Sequence, residues 1–138
     1  MTAERTPTQM GKHARRKGAQ FERELANSLR DWLESKGYDP GEDLKRGIGQ
    51  ARQSHEVPDV AGFYPLWIEA KKHRTCTPKV AYQQAETDLQ EHIKRHPEAG
   101  YSIPVAITSD NRDKALITLS LDDFLFQFFL PFLEKEQE

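Results

Sequence analysis

The chain has 138 residues, 36% of them hydrophobic and 30% charged, a profile that fits one globular domain with a real core and excludes fibrous or disordered chains. No apolar run approaches a membrane span, the polar stretch 1–10 lacks the apolar segment of a secretory signal, and the single Cys76 excludes an internal disulfide or a cysteine–zinc cluster, so a cytoplasmic protein is expected. The formal charge of −2 is unevenly spread: residues 1–79 carry 15 Lys and Arg against 11 Asp and Glu, while residues 80–138 carry 5 against 11, and the first part alone suits a polyanionic partner.

Residues 1–11 hold Pro, Thr and Gly without periodicity and are expected to form a flexible tail ahead of a single domain over 12–138. A basic stretch follows, with Lys12, His13, Arg15, Arg16 and Lys17. Phe21, Leu25, Leu29 and Trp32, widened by Ala26 and Leu33, recur at helical spacing and predict an amphipathic helix over about 14–35, stopped at Gly37. Residues 38–53 are Gly-rich and charged, and read as loop with room for a short strand.

Residues 57–61 and 66–71 read as two strands on either side of Gly62-Phe63-Tyr64-Pro65, which predicts a hairpin. The period of two places Trp67, Glu69 and Lys71 on one face of the second strand and Leu66, Ile68 and Ala70 on the other. Residues 79–95 read as a second helix with Val80, Ala81, Ala85, Leu89 and Ile93 on its apolar face. Strands over 103–108 and 115–121, joined by a polar turn at 110–113, lead to a last helix capped by Asp122 or Asp123 and running towards Glu134. This order predicts an α/β fold with a central mixed sheet flanked by helices.

The sharpest chemical pattern is Pro58-Asp59, nine residues, then Glu69-Ala70-Lys71. Two carboxylates on paired strands can converge on one hard cation, for which oxygen donors suit magnesium. Lys71, on the face of Glu69, falls beside that cation, where an ammonium can hold an attacking water and offset charge building on phosphorus. Two solvated acids and a lysine on an exposed strand would give the same pattern. Against that, Glu69 and Lys71 follow the apolar run Leu66-Trp67-Ile68, and Asp59 precedes Val60 and Ala61 at the lip of a buried strand.

The segment Arg16-Lys17-Gly18-Ala19-Gln20-Phe21-Glu22-Arg23-Glu24-Leu25 resembles the amino-terminal motif of the archaeal Holliday junction resolvases: a basic pair, Gly, three residues, then Glu-Arg-Glu-Leu. It stands in the right order before the Asp and the Glu-x-Lys. Ile103-Pro104-Val105-Ala106 and Leu116-Ile117-Thr118-Leu119-Ser120 are similar to that family's last two strands, so the likeness spans roughly residues 15–121. The Asp to Glu-x-Lys segment is shorter here than in the family, and the loop before Asp59 is longer.

The resemblance implies a restriction-endonuclease-like core of the PD-(D/E)xK superfamily, with 12–138 as the nuclease domain. It further implies Mg²⁺-dependent hydrolysis of four-way DNA by a homodimer, leaving 5′-phosphate ends, with Mn²⁺ as a substitute metal. Residue by residue, it makes Asp59 and Glu69 the main metal ligands, Glu22 the third acid, and Lys71 the catalytic base or charge stabiliser. It also points to Ser54 in the loop before Asp59 and, from related nucleases, to Gln83 or Gln84 on the following helix.

Lys12, Arg15, Arg16, Lys17, Lys45, Arg46, Arg52, Lys72 and Arg74 cluster around these acids in the sequence and are expected to read the phosphate backbone. His92 and His96 lack the Glu of a zinc-protease motif and read as surface residues. The Phe-rich last helix carries more apolar surface than one sheet can bury, which leaves either a wide core stripe or a dimer contact. The competing functional readings are a nuclease of the same fold acting on linear DNA in repair, restriction or phage genome processing, and a DNA-binding module without chemistry.

Overall fold

The computed structural model describes residues 7–47, 57–73, 75, 77–110 and 114–137. It is an α/β structure with a five-stranded mixed sheet, ordered β1 (Lys45–Arg46), β2 (Val60–Ala61), β3 (Leu66–Lys72), β4 (Ile103–Ser109) and β5 (Leu116–Thr118). β1 to β3 form antiparallel neighbours, β3 and β4 run parallel, and β5 returns antiparallel to β4. The parallel step is possible because helix α2 (Pro78–Arg95) supplies the crossover between β3 and β4.

Helix α1 spans Pro7–Ser35. It opens inside the stretch expected to be a tail, with a proline at the position where a missing N–H costs nothing. Phe21 and Ala26 are buried, and Leu25, Leu29 and Leu33 pack beside them against the sheet. Trp32, expected in the same stripe, is exposed and lies under Lys36 Nζ, 6.0 Å from the ring centroid. Leu33 takes its place in the core because i, i+4 spacing from Leu29 continues the buried row. Gly37 ends the helix with φ of 84°, while its N–H donates to Glu34 O and the Tyr38 N–H to Leu33 O, both at 3.0 Å. These two bonds satisfy carbonyls that the helix end would otherwise leave open.

The two faces of β3 follow the predicted alternation. Ile68 and Ala70 join Phe21, Ala26, Val60 and Val105 in the core under α1, while Trp67 packs with Ala85 and Leu89 of α2 on the opposite face. On α2 the expected apolar positions Val80 and Ile93 are exposed, and Asp88 is buried in line with Ala81, Ala85 and Leu89. The face turned to the sheet therefore carries an acid where spacing alone suggested only apolar residues.

The end of the chain forms α3 (Leu121–Phe124), a π-helical turn at Leu125–Phe129 and α4 (Leu130–Glu136). Its cap is Ser120 and not Asp122 or Asp123: the Ser120 Oγ accepts from the Asp123 N–H at 3.0 Å, and the two aspartates sit in the first turn, where the helix dipole favours them. The π turn has a physical cause. Pro131 has no N–H, and its ring would press on the carbonyl four residues back, so the wider turn relieves the clash; the Leu130 N–H reaches Leu125 O instead.

β1 is held by its neighbours more than by its length. Arg30 Nη2 donates to Leu44 O at 2.5 Å, and the Gly47 N–H donates to Asp59 O at 2.9 Å. A Cβ on Gly47 would collide with the carbonyl oxygen of Pro58. Gly47→Ala is therefore expected to destabilise the fold by about 2 kcal/mol, the cost of forcing an atom into packed backbone. A urea midpoint equal to that of the wild type would contradict this packing.

Candidate active site

Asp59 stands where the β2–β3 ladder ends. Its N–H donates to Ile68 O at 2.9 Å, and its Oδ2 accepts from the Ala70 N–H at 2.8 Å. The side chain thus replaces the strand acceptor that Ala70 lacks at this point, which fixes the carboxylate beside β3. Val60 pairs with Ile68 and shares its face, so Asp59, one residue earlier, turns towards the face of Trp67 and Glu69. Asp59 and Glu69 are each only 5% exposed. Lys71, two residues after Glu69, keeps its stem largely in solvent and brings Nζ to 3.5 Å from Glu69 Oε1.

Two buried carboxylates this close cannot both ionise cheaply. Burial, then the charge of Glu22, pushes Asp59 up to about 6 despite the Ala70 N–H, the Lys71 charge and a hydrogen bond with Glu69. Burial, then the Asp59 charge, pushes Glu69 up to about 8, against the pull of Lys71. Both carboxyls are thus held above the ordinary carboxylate range, and the pair favours sharing a proton across the contact between Asp59 and Glu69. Oxygen donors of this kind suit a hard divalent cation, which would take the place of the shared proton.

The expected third acid takes a different partner. Glu22 is nearly buried on α1 and accepts from Arg46 Nε at 2.5 Å. It is near enough to raise Asp59 but is not among the groups acting on Glu69. Among the described residues, no group of three or more His, Cys, Asp or Glu side chains is drawn together so as to hold a metal ion. The structure therefore brings together Asp59, Glu69 and Lys71, and leaves Glu22 at the border with its charge balanced by Arg46. The physical reason lies in register: Arg46 pairs with Val60, which places it on the α1 face of the sheet within reach of the helix.

Asp88 is the residue that sequence spacing missed. It is buried on α2, raises Glu69 through its charge, and accepts from Gln84 Nε2 at 2.8 Å. Of the two glutamines considered, Gln84 is thus tied to the site through Asp88, while Gln83 is exposed. The signal was present in the sequence, since Asp88 follows Ala81 and Ala85 on the inward row. His92, read as a surface residue, is half-buried against Trp67 with ring centroids 4.8 Å apart. Trp67 Nε1 and His92 Nδ1 are buried without a hydrogen-bond partner among the described residues.

The basic residues divide. Lys17 and Lys72 line a cavity of about 200 Å³ with Gln20, Phe21 and Glu24, and Lys72 Nζ lies 5.9 Å from the Phe21 ring centroid. Lys12, Arg16 and Lys45 are exposed. Arg46, expected to contact DNA, is paired with Glu22. Ser54, Arg52, Arg74 and the side chain of Arg15 lie outside the described residues. No family model, no curated protein and no solved structure matches the chain. No helix among the described residues is long and apolar enough to cross a membrane.

The carboxylate pair sets a pH signature. Its folded values, about 6 and about 8, lie above the ordinary 3.8 and 4.5, so between about pH 4 and pH 8 the folded chain binds more protons than the unfolded one. Stability contributed by these groups is therefore present at low pH and is lost as pH rises through that window. In EDTA, the melting temperature of the wild type is expected to fall relative to that of Glu69→Gln between pH 5 and pH 8.5. Mg²⁺ or Mn²⁺ should restore more stability at the higher pH. Parallel pH profiles for the two proteins, or melting unchanged by either metal, would count against the pair.

Proposed function

We propose that this protein is a metal-dependent phosphodiesterase built on a restriction-endonuclease-like core. Within that class, our reading is an endonuclease that cuts branched DNA, a Holliday junction resolvase. The observation that carries the first step is the pair of buried carboxylates, Asp59 and Glu69, with Lys71 at 3.5 Å on the same hairpin. The second step is supported by the likeness of residues 16–25 to the resolvase motif and by the order in which Glu22, Asp59, Glu69 and Lys71 follow one another.

Asp59 and Glu69 would hold Mg²⁺, with Glu22 beside Asp59 and free to join if Arg46 turns to a phosphate. The cation supplies Lewis-acid polarisation of a phosphate oxygen and a more acidic bound water. The protein's own groups do the rest. The Lys71 ammonium holds the attacking water next to Glu69 and offsets charge gathering on the phosphate oxygens. The Ala70 N–H keeps Asp59 in one orientation, so the site is formed before substrate arrives. Asp88, steadied by Gln84, keeps negative charge behind Glu69. Lys72, next to Lys71 on β3, and Lys17, five residues before Glu22 on α1, line the cavity where backbone phosphates can lie.

Asp59→Asn keeps an oxygen acceptor for Ala70, and Lys71→Met keeps the stem, so both variants should fold. Each is expected to lose roughly 100-fold or more in cleavage of a four-way junction with Mg²⁺, with junction affinity within a few-fold of wild type. An active Asp59→Asn protein refutes the site. Equal cutting of junctions and linear duplexes refutes the resolvase step and leaves a nuclease of linear DNA. Junction binding with no cleavage by the wild type under any divalent metal identifies a binding module instead.

Lys17→Ala and Lys72→Ala are expected to weaken binding to all DNA alike. Each should flatten the slope of log affinity against log salt by about 1, the signature of one lost phosphate contact. A change in sequence preference with an unchanged slope would remove these lysines from the phosphate path.

A further inference from the structure

The helix formed by α3, the π turn and α4 is the least covered part of the described structure. Between Phe124 and Leu133 its ten residues include eight large apolar side chains and no charge. None of the eight is less than 39% exposed, and Phe126 is 66% exposed. No residue of the three segments is buried, and among the described residues their extensive packing is with one another. Its start is tied to the body by Tyr101 Oη, which donates to Asp123 Oδ1 at 3.2 Å. Tyr101 also meets the Gln127 side chain, and beyond these contacts little of the described body lies against the helix.

The π turn organises this surface. It brings Phe124 and Phe129, five residues apart, into a stacked pair with centroids 6.2 Å apart, and Phe129 stacks on Phe132 at 6.3 Å. An ordinary helix brings residues three and four apart together; the wide turn gathers a continuous aromatic ridge instead.

We propose that this helix is a dimerisation arm that packs antiparallel against the same helix of a second copy, crossing near Phe128, with Leu116 and Ile117 of the partner's β5 closing over its other side. Four observations select a second copy as the occupant. Phenylalanine side chains each bury about 150–250 Å² and leucines less, so covering the exposed parts of these five Phe and three Leu removes on the order of 700 Å² per chain, close to one partner's share of a standard interface. The apolar segment 124–133 is centred at Phe128 and Phe129, so a two-fold axis there lays like on like, as an isologous contact requires. Leu116 and Ile117, on the edge strand just before the arm, are 56% and 53% exposed, which supplies a second apolar surface on the same stretch of each copy. Finally, an anionic lipid surface fits poorly: a ten-residue stretch is half a membrane span, and Asp122, Asp123, Glu134 and Glu136 flank it with only Lys135 opposing.

The proposal goes beyond the nuclease reading and is tested without any activity. Light scattering of the full chain at micromolar concentration should give twice the 15.9 kDa chain mass. The double variant Phe126→Glu, Phe128→Glu should run as a monomer with the circular dichroism of a folded α/β chain. A monomeric wild type, or a double variant that stays dimeric, overturns the arm. Should the double variant aggregate, Phe128→Cys in a Cys76→Ser background decides: oxidation is expected to link two chains at the crossing, and no linked species refutes it. Wild-type chain that is monomeric and pellets with phosphatidylserine vesicles overturns the second copy in favour of a membrane.

Discussion

A single hydrogen bond, from the Ala70 N–H to the Asp59 carboxylate, carries much of what is distinctive here. It closes the open end of the β2–β3 ladder with a side chain, and in doing so brings an acid to within reach of Glu69 in a place where water is scarce. The bond depends in turn on Ile68, fully buried between Val60 and Val105, because that core contact fixes the register. A slip of one residue would send Glu69 and Lys71 to the α1 face and Ile68 to the other.

The charges around this point are arranged by face. Arg46 and Glu22 neutralise each other on the α1 side. Lys71 and Asp88 act on Glu69 from the strand and from α2. The buried pair itself is left with more negative charge than its surroundings offset, and it relieves the excess by keeping a proton. A cluster built this way costs the fold stability as the pH rises, a cost that a bound divalent cation would offset.

The same sheet separates two kinds of surface. Its β1–β2–β3 side carries the acids and the lysines lining the α1 cavity, while β5 and the helix after it present hydrocarbon. Proline at position 131 links sequence to surface in the second case: one missing N–H widens one turn, and the widened turn stacks three phenylalanines.

Much of this was legible in the residues alone. The hairpin, the two faces of β3, the crossover helix and the mixed sheet follow from spacing, because side-chain periods of 2 and 3.6 are local properties of the backbone. So was the pairing of Asp59 with Glu69 and Lys71, since a short hairpin leaves little freedom in what its strands oppose. What needed the tertiary structure was every contact between elements distant in the chain: Glu22 meeting Arg46 across 24 residues, Asp88 turned inwards beside Glu69, Trp32 left in solvent, and Ser120 capping in place of an aspartate. Local pattern ranks the candidates at such positions, but packing chooses among them, because burial and charge are set by neighbours that the spacing along one element does not name.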